Sequence, residues 1–318
     1  MTPYLSIVVP LFNEEESVEK LITNIKAGLS DVGLGYEIIL VDDGSTDSTW
    51  AVIERLKAIV PELRGIKLRR NCGQTTAMVA GFDASSGQVI VTMDGDLQND
   101  ATDIPLLLKK MDEGYDIVSG WRKDRQDQSS RVVVSNIANS IISFTTGVHL
   151  HDYGCSLKAY HAESIRSLKA YGEMHRFFPA LATMTGARVT EIPVKHYPRR
   201  FGKSKYGFER VFKVFSDIIG INLIMRFAST PLKGFITCSI PFFLLFMFFL
   251  ILAGAAEVFQ WTSGKGLFFL LSAALFGMAS VNLFALGTLG ELIVSTSNLE
   301  HTVLPAKTIR RIEVNHDG

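Results

Sequence analysis

Over about the first 200 residues, short apolar runs alternate with stretches whose apolar positions recur every three or four residues. The runs Leu5–Pro10, Tyr36–Asp42, Gly65–Arg69, Val89–Asp94 and Tyr115–Gly120 read as strands. Between the first two, Val18, Leu21, Ile22, Ile25 and Leu29 mark one face of a helix within Glu14–Ser30. The same spacing recurs in Asp47–Ile59, with Trp50, Ile53 and Leu56, and again in Asp103–Glu113. Near-continuous apolar strands separated by helices predict an α/β domain with a mostly parallel sheet covered on both faces.

Beyond Gly234 the pattern changes. Gly234 to Ala256 is free of charge for about 23 residues, and Gly266 to Gly290 for about 25. A membrane-spanning helix needs about 20 apolar residues, so both stretches predict spans joined by a tight hairpin. Arg199, Arg200, Lys203, Lys205, Arg210, Lys213, Arg226 and Lys233 precede the first span, and Lys307, Arg310 and Arg311 follow the second; the loop between holds Glu257 and Lys265. The positive-inside tendency places the α/β domain and both termini in the cytoplasm, with the hairpin in the inner membrane. Phe208, Val211, Phe212, Phe215, Ile218 and Ile219 lie at helical spacing opposite Glu209, Arg210, Lys213 and Asp217. They predict an amphipathic helix in the membrane interface rather than a core helix. The expected organisation is a catalytic domain over 1–206, interfacial helices over 207–233, two spans over 234–294 and a cytoplasmic tail over 295–318.

Composition narrows the choice of partner. The 32 basic and 32 acidic residues cancel, so there is no excess of positive charge for a nucleic acid. Cys72, Cys155 and Cys238 are few, odd in number and far apart, which suits a reducing compartment and makes no disulfide framework.

The candidate chemistry sits where the strands end. The run Gln88–Met93 leads into Asp94-Gly95-Asp96-Leu97-Gln98, and residues two apart in extended chain point to one side, pairing the two carboxylates. Ligands bind at such strand ends in open α/β sheets. Two carboxylates and an amide oxygen are hard ligands for Mg²⁺ or Mn²⁺, with phosphate oxygens completing the shell. Asp42 and Asp43 close a second strand, where Ser45 or Asp47 also serves as a helix cap and the acids can accept from a base or ribose. Pro10, Asn13 and Glu14 close the first. A parallel sheet gathers all three along one rim.

The series Val-Val-Pro-Leu-Phe-Asn-Glu, Val-Asp-Asp-Gly-Ser-Thr-Asp, Asn71-x-Gly73 and Asp94-Gly-Asp96-Leu-Gln98 resembles glycosyltransferase family two. With the C-terminal anchor, it resembles in particular the polyprenyl-phosphate glycosyltransferases, among them bactoprenol glucosyltransferases and dolichol-phosphate mannose synthases. Gly120-x-Arg122, Asp152-x-Gly154-Cys155-x-Leu157-Lys158 and Arg200-x-Gly202-x-Ser204-Lys205 extend the likeness over nearly the whole chain. The resemblance implies the GT-A fold, a divalent metal and an inverting transfer from a nucleotide-sugar to a polyprenyl phosphate. By matching position it assigns Pro10, Asn13, Glu14, Asp42, Asp43, Asn71 and Gly73 to the nucleotide, Asp94 to the sugar and ribose side, and Asp96 and Gln98 to metal and diphosphate. Arg122, Arg131, Arg200, Ser204 and Lys205 would surround the acceptor phosphate and donor diphosphate. Asn99-Asp100-Ala101-Thr102 replaces the His-Pro-Pro-Glu common in such enzymes, and Lys158 stands where arginine is common.

A phosphate monoester has a second pKa of about 6 and is largely dianionic at neutral pH, so it needs no strong base. Asp152 is therefore expected to position rather than to abstract a proton. UDP-glucose is the expected donor, with modified arabinose, GlcNAc and mannose as alternatives. A processive synthase would need several extruding helices and a Gln-x-x-Arg-Trp motif, which this sequence lacks. A non-catalytic membrane component that binds nucleotide-sugar or carries glycolipid is the remaining rival. A two-helix hairpin often needs neighbours to bury its packing faces, which leaves a homo-oligomer open.

Overall fold

The computed structural model describes residues 3–123, 142–143, 147–166, 172, 174–183, 186–198, 231–259 and 265–296. The chain forms two compact units, Met1–Ile219 and Gly220–Gly318. In the first, β1 (Leu5–Leu11), α1 (Val18–Leu29), β2 (Tyr36–Asp42), α2 (Thr49–Lys57), β3 (Leu63–Lys67), α3 (Gln74–Ala84) and β4 (Val89–Thr92) follow one another. A 3-10 turn, Ala101–Asp103, then opens α4 (Ile104–Asp112), which leads to β5 (Ile117–Trp121). Among the described residues, the further elements of this unit are β6 (Lys158–His161), α5 (Ala162–Arg166), a second 3-10 turn (Met174–Phe177), α6 (Phe178–Thr183) and β7 (Val189–Pro193).

The strands form one seven-stranded sheet in the order β3-β2-β1-β4-β6-β5-β7. Strands β1 to β4 pair in parallel, and β5 pairs in parallel with β7, while β6 runs antiparallel to both β4 and β5. Side chains alternate across the sheet. Ile7, Val9, Ile38 and Leu40 face the layer of α1, α2 and α4, whereas Val8, Ile39 and Val41 face α3, α5 and α6. Both layers are closed over buried residues, which is why the strands read as continuous apolar runs.

Several elements differ from the expectation. Strand β3 starts at Leu63 and ends at Lys67, because Leu63 already pairs with Ile38 of β2. Helix α1 begins at Val18; Glu14 lies in the preceding turn, its carbonyl accepting from Ser17 N at 3.0 Å. Helix α3 was not expected, since Gln-Thr-Thr-Ala-Met-Val-Ala-Gly-Phe-Asp-Ala has no polar stripe to contrast with an apolar one. Its small residues serve close packing: a Cβ on Gly81 would lie 2.3 Å from Val8 Cγ1. Strands β6 and β7 are four and five residues long, too short for alternation to reveal them.

One contact ties α1 to the loop after β4. A Cβ on Gly28 would lie 2.4 Å from the backbone carbon of Ala101, itself wholly buried. Gly28→Ala is therefore expected to cost about 1–3 kcal/mol through forced backbone shifts. Thermal unfolding measures it; an unchanged midpoint would contradict this packing.

In the second unit α7 (Pro231–Val258) and α8 (Lys265–Thr296) form an antiparallel hairpin, both long and apolar enough to cross a membrane. Only 6% and 11% of their most apolar windows are buried, so they are not core helices wrapped by protein. Ala273, Ser280 and Gly287, seven residues apart, are the buried positions of α8. They admit close approach: a Cβ on Gly287 would lie 2.8 Å from that of Phe235. At the open end, the Glu291 carboxylate accepts from Leu232 N at 3.1 Å and so satisfies one free amide of the first turn of α7. The expected interfacial helix around Phe208–Ile219 lies outside the described residues, as does the tail from 297 onward.

Candidate active site

Parallel pairing of β2, β1 and β4 brings their C-terminal ends to one rim. After β1 the chain turns at Asn13, whose φ of +54° is a left-handed value that asparagine tolerates better than most residues. Asn13 Oδ1 accepts from Thr46 N at 2.8 Å, and Asn13 N donates to Ser45 Oγ at 2.9 Å. Glu14 N donates to Thr49 Oγ1 at 2.8 Å, and Ser48 N to Glu15 Oε2 at 2.8 Å. The loops after β1 and β2 are thus zipped together, and the Asn13 side chain is spent partly on that seam. Asp47, not Ser45, serves the start of α2: its Oδ1 accepts from Thr49 N at 3.0 Å.

Asp42 and Asp43 are both buried, and they are used differently. Asp42 Oδ1 accepts from Ser45 N at 3.0 Å, while its buried Oδ2 has no hydrogen-bond partner among the described residues. Asp43 takes Cys72 N at 2.7 Å and Gly73 N at 2.9 Å, which fixes the Asn71–Gly73 loop against it. Burial pushes the Asp43 carboxyl up and these two N–H groups oppose it, with the upward shift prevailing. Gly44 makes the approach feasible; it sits at φ +68°, and a Cβ there would lie 2.3 Å from the backbone of Arg70. Asn71 is exposed, and Pro10 is half-buried in β1 beside Val41 of β2.

The loop after β4 carries the carboxylate pair. A Cβ on Gly95 would lie 2.2 Å from Leu11 Cδ2, so the group that approaches this glycine closely is the β1 side chain. Leu97 at φ +62° bends the loop so that Gln98 N donates to Asp96 Oδ1 at 3.2 Å. Asp96 is buried and Asp94 half-buried, with Gln74 Nε2 donating to Asp94 Oδ1 at 2.7 Å. Burial, and then the charge of Asp96, raise the Asp94 carboxyl above the usual range; a hydrogen bond from Ser156 and the charges of Arg122 and Lys158 pull the other way. Asn99 underpins this arrangement: its Oδ1 accepts from Ser156 Oγ at 2.8 Å and from Asp94 N at 3.3 Å.

The Asn99-Asp100-Ala101-Thr102 departure keeps the loop closed by other means. Asp100 Oδ1 accepts from Thr102 N at 3.0 Å and caps the 3-10 turn, while Tyr197 OH donates to Asp100 Oδ2 at 3.1 Å. Tyr197 N donates to Gln98 O at 2.9 Å, and Gln98 Nε2 donates to Tyr197 O at 3.2 Å. The amide oxygen of Gln98 is thereby the end directed away from this strap.

The antiparallel β6 explains how residues far along the chain reach the same rim. An antiparallel strand starts where its parallel neighbours end, and Lys158 pairs with both Thr92 of β4 and Ser119 of β5. The preceding loop, Asp152–Leu157, therefore lies beside the end of β5. There Arg122 grips Asp152 through Nε to Oδ2 at 2.6 Å and Nη2 to Oδ1 at 2.9 Å. Their side chains are 13% and 8% exposed. Burial disfavours both charges, yet the pair outweighs it: Asp152 is held below the carboxylate range and Arg122 above its ordinary value. Lys158 points inward and donates Nζ to the carbonyls of Tyr153 and Cys155; burial pulls it down to about 8. It is not presented to a phosphate. Burial likewise pushes the Cys155 thiol up to about 11, so it is no nucleophile.

The structure thus brings Pro10, Asn13, Glu14, Asp42, Asp43, Asn71, Gly73, Asp94, Asp96, Gln98, Arg122 and Asp152 to one end of the sheet. Arg131, Arg200, Ser204 and Lys205 lie outside the described residues. Among the described residues no group of three or more His, Cys, Asp or Glu gathers as a metal site. The donor set at the pair is oxygen only, and the mutual repulsion of Asp94 and Asp96 is what a divalent cation would relieve. These residues fit such an ion if phosphate or water completes its shell. Sequence reasoning missed Gln74, Asn99 and Ser156. All three adjoin quoted motif residues, but no periodicity or charge pattern marks them as part of the site.

Residues 6–169 match the model of glycosyl transferase family 2. The chain is 40% identical over 299 residues to the dodecaprenyl-phosphate galacturonate synthase of Rhizobium johnstonii, covering 92% of this chain and 88% of that one. It is 38% identical over 293 residues to the undecaprenyl-phosphate 4-deoxy-4-formamido-L-arabinose transferase of Klebsiella pneumoniae, covering 91% and 88%. Among solved structures, glucosyl-3-phosphoglycerate synthase from Mycobacterium tuberculosis, in complex with Mn²⁺ and UDP-glucose, superposes with a TM-score of 0.54. That likeness covers 70% of this chain and 79% of the other at 20% identity, and it establishes the GT-A fold. With its sheet, its strand-end acids and relatives matched over nine-tenths of its length, the chain belongs to glycosyl transferase family 2 and is a glycosyltransferase.

Proposed function

We propose that this enzyme transfers a sugar from a nucleotide-sugar to a polyprenyl phosphate at the cytoplasmic face of the inner membrane, inverting the anomeric centre. The observation that carries the reading is the placement of the Asp94–Asp96 pair and the Asp152-bound Arg122 on one rim of a family 2 sheet, in a chain that also has two apolar hairpin helices. Polyprenyl phosphate as acceptor is supported by the names of both relatives. Glucose, expected from the resemblance, is the weaker choice of donor, because those relatives are named for galacturonate and formamido-arabinose. We take the donor to be a UDP-sugar of that modified kind.

The chain's own groups divide the work. Asp42, whose buried Oδ2 has no hydrogen-bond partner among the described residues, would accept from the base, and the zipped loops hold it there. Asp94 would lie against ribose and sugar, and Asp96 with Gln98 would hold Mg²⁺ or Mn²⁺ at the diphosphate. Such an ion, when bound, neutralises charge that builds on the leaving diphosphate. Arg122 would stabilise phosphate charge, and Asp152 holds its guanidinium in place. The acceptor phosphate oxygen attacks the anomeric carbon as the bond to the diphosphate breaks. No residue need take a proton, since the nucleophile is already largely dianionic. Asp152, tied by two hydrogen bonds to Arg122, suits positioning and not general base catalysis.

The test incubates full-length protein in detergent with undecaprenyl phosphate, Mn²⁺ and labelled UDP-galacturonate, UDP-formamido-arabinose, UDP-glucose or UDP-GlcNAc. Label is expected in the organic phase from one of the first two. Label only from UDP-glucose would restore the glucose reading, and none from any donor would favour a binding or transport component.

A further inference from the structure

Residues 72–74 touch both acidic loops of the rim at once. Cys72 N and Gly73 N donate to the two oxygens of Asp43, and the next side chain, Gln74, donates Nε2 to Asp94 Oδ1 at 2.7 Å. Asp43 follows β2 and Asp94 follows β4, with β1 between those strands, so no hydrogen-bonded ladder joins them directly. Three consecutive residues make the connection instead.

This connection is stiff. Gly73 sits at φ +93°, a region that L side chains avoid, and Gln74 begins α3, whose helical bonds fix its backbone. The neighbouring Thr75 Oγ1 lies 2.8 Å from His175 Nδ1 and accepts from His175 N at 3.3 Å. Asp43 is 4% exposed, so water does not readily replace its two N–H donors. Gln74 is half-buried and neutral; it brings no charge to the rim. What it does is select one orientation of the Asp94 carboxylate relative to a helix whose first residues are held by Asp43.

Resting on the functional reading above, we propose that Gln74 is a positioning residue that couples nucleotide binding on the Asp43 side to divalent-cation binding by Asp94 and Asp96. An ion held by Asp96 and Gln98 at the diphosphate would itself link the two ligands. Gln74 adds to that link by holding Asp94 in the orientation that the nucleotide-loaded loop requires. Coupling is reciprocal: whatever factor the ion adds to nucleotide affinity, the nucleotide adds to ion affinity.

Calorimetry on the full-length protein in detergent reads this directly, with UDP titrated with and without Mn²⁺ and Mn²⁺ titrated with and without UDP. Gln74→Met keeps length and helix propensity and removes the donor, while Gln74→Asn keeps the amide and shortens its reach. Both are expected to leave metal-free UDP affinity within about twofold and to reduce the Mn²⁺-induced gain by about fivefold, the lower end of typical coupling factors. The same factor should vanish from the UDP-induced gain in Mn²⁺ affinity. An unchanged ratio would overturn the proposal and leave the functional reading standing. An equal loss of UDP affinity with and without Mn²⁺ would overturn it too, assigning Gln74 to folding. Absence of any Mn²⁺ effect in the unaltered protein would overturn both.

Discussion

Asp96→Ala is expected to reduce sugar transfer by about 10²–10³-fold or more, the cost of losing a main source of charge stabilisation in a transition state. UDP binding without metal should survive, because the contact assigned to the base belongs to Asp42 and that assigned to the ribose to Asp94, and neither residue is altered. Asp96 is buried, and its Oδ1 accepts from Gln98 N, so the alanine variant also loosens the loop. Asp96→Asn separates the two effects: it keeps the shape and the accepting oxygen while removing the charge. If transfer by Asp96→Asn equals that of the unaltered protein, the carboxylate has no role with a metal. If it falls as far as in the alanine variant while the thermal midpoint holds, charge and not loop shape is what matters.

The second large effect concerns Arg122 and Asp152. Removing one partner from a buried ion pair costs about 3–5 kcal/mol, because the other charge stays buried and alone. Asp152→Ala should therefore destabilise the first unit on that scale and also lower transfer, since Arg122 loses its orientation. Asp152→Asn should show the electrostatic part through pH. The folded-state value of Asp152 is depressed, so its contribution is full above the ordinary carboxylate range near 4 and is lost as pH falls through the lower folded value. Subtracting the stability of Asp152→Asn from that of the unaltered protein at each pH should give a difference that is flat at neutral pH and shrinks below about pH 4. A difference that is flat throughout would mean the pair is not formed. A fall in transfer with a pH profile shifted by removal of a general base, instead of a uniform fall, would contradict the positioning role.

How much of this was legible in the residues depends on how local the cause was. Strand β2 spans Tyr36–Asp42 as read, because six of its seven residues are buried and the acids that follow end the run. The hairpin helices were legible because bilayer thickness sets a length that few other contexts demand. Helix α3 was hidden because its small, apolar and polar residues follow no stripe, although it packs between the sheet and later elements such as α5 and the Met174–Phe177 turn. The antiparallel β6 was hidden because its reason is tertiary: it returns the Asp152–Leu157 loop to the rim, and four residues carry no period. In the site, charged residues at strand ends could be read, whereas the neutral groups that hold them could not. Gln74 and Asn99 matter through single hydrogen bonds to Asp94, and nothing in a linear pattern distinguishes them from other amides. Lys158 shows the reverse case, a charge in a quoted motif whose Nζ is used up on two carbonyls inside the fold.

The most direct measurement follows labelled sugar into lipid extract from detergent-purified protein, comparing undecaprenyl phosphate with the unphosphorylated alcohol, with EDTA and after Mn²⁺ is restored. The expected result is transfer to the phosphate alone, abolished by EDTA, recovered with Mn²⁺ and absent in Asp96→Asn. Transfer to the alcohol, or transfer to the phosphate that persists in EDTA and in Asp96→Asn, would contradict a metal-assisted attack by a lipid phosphate at this rim.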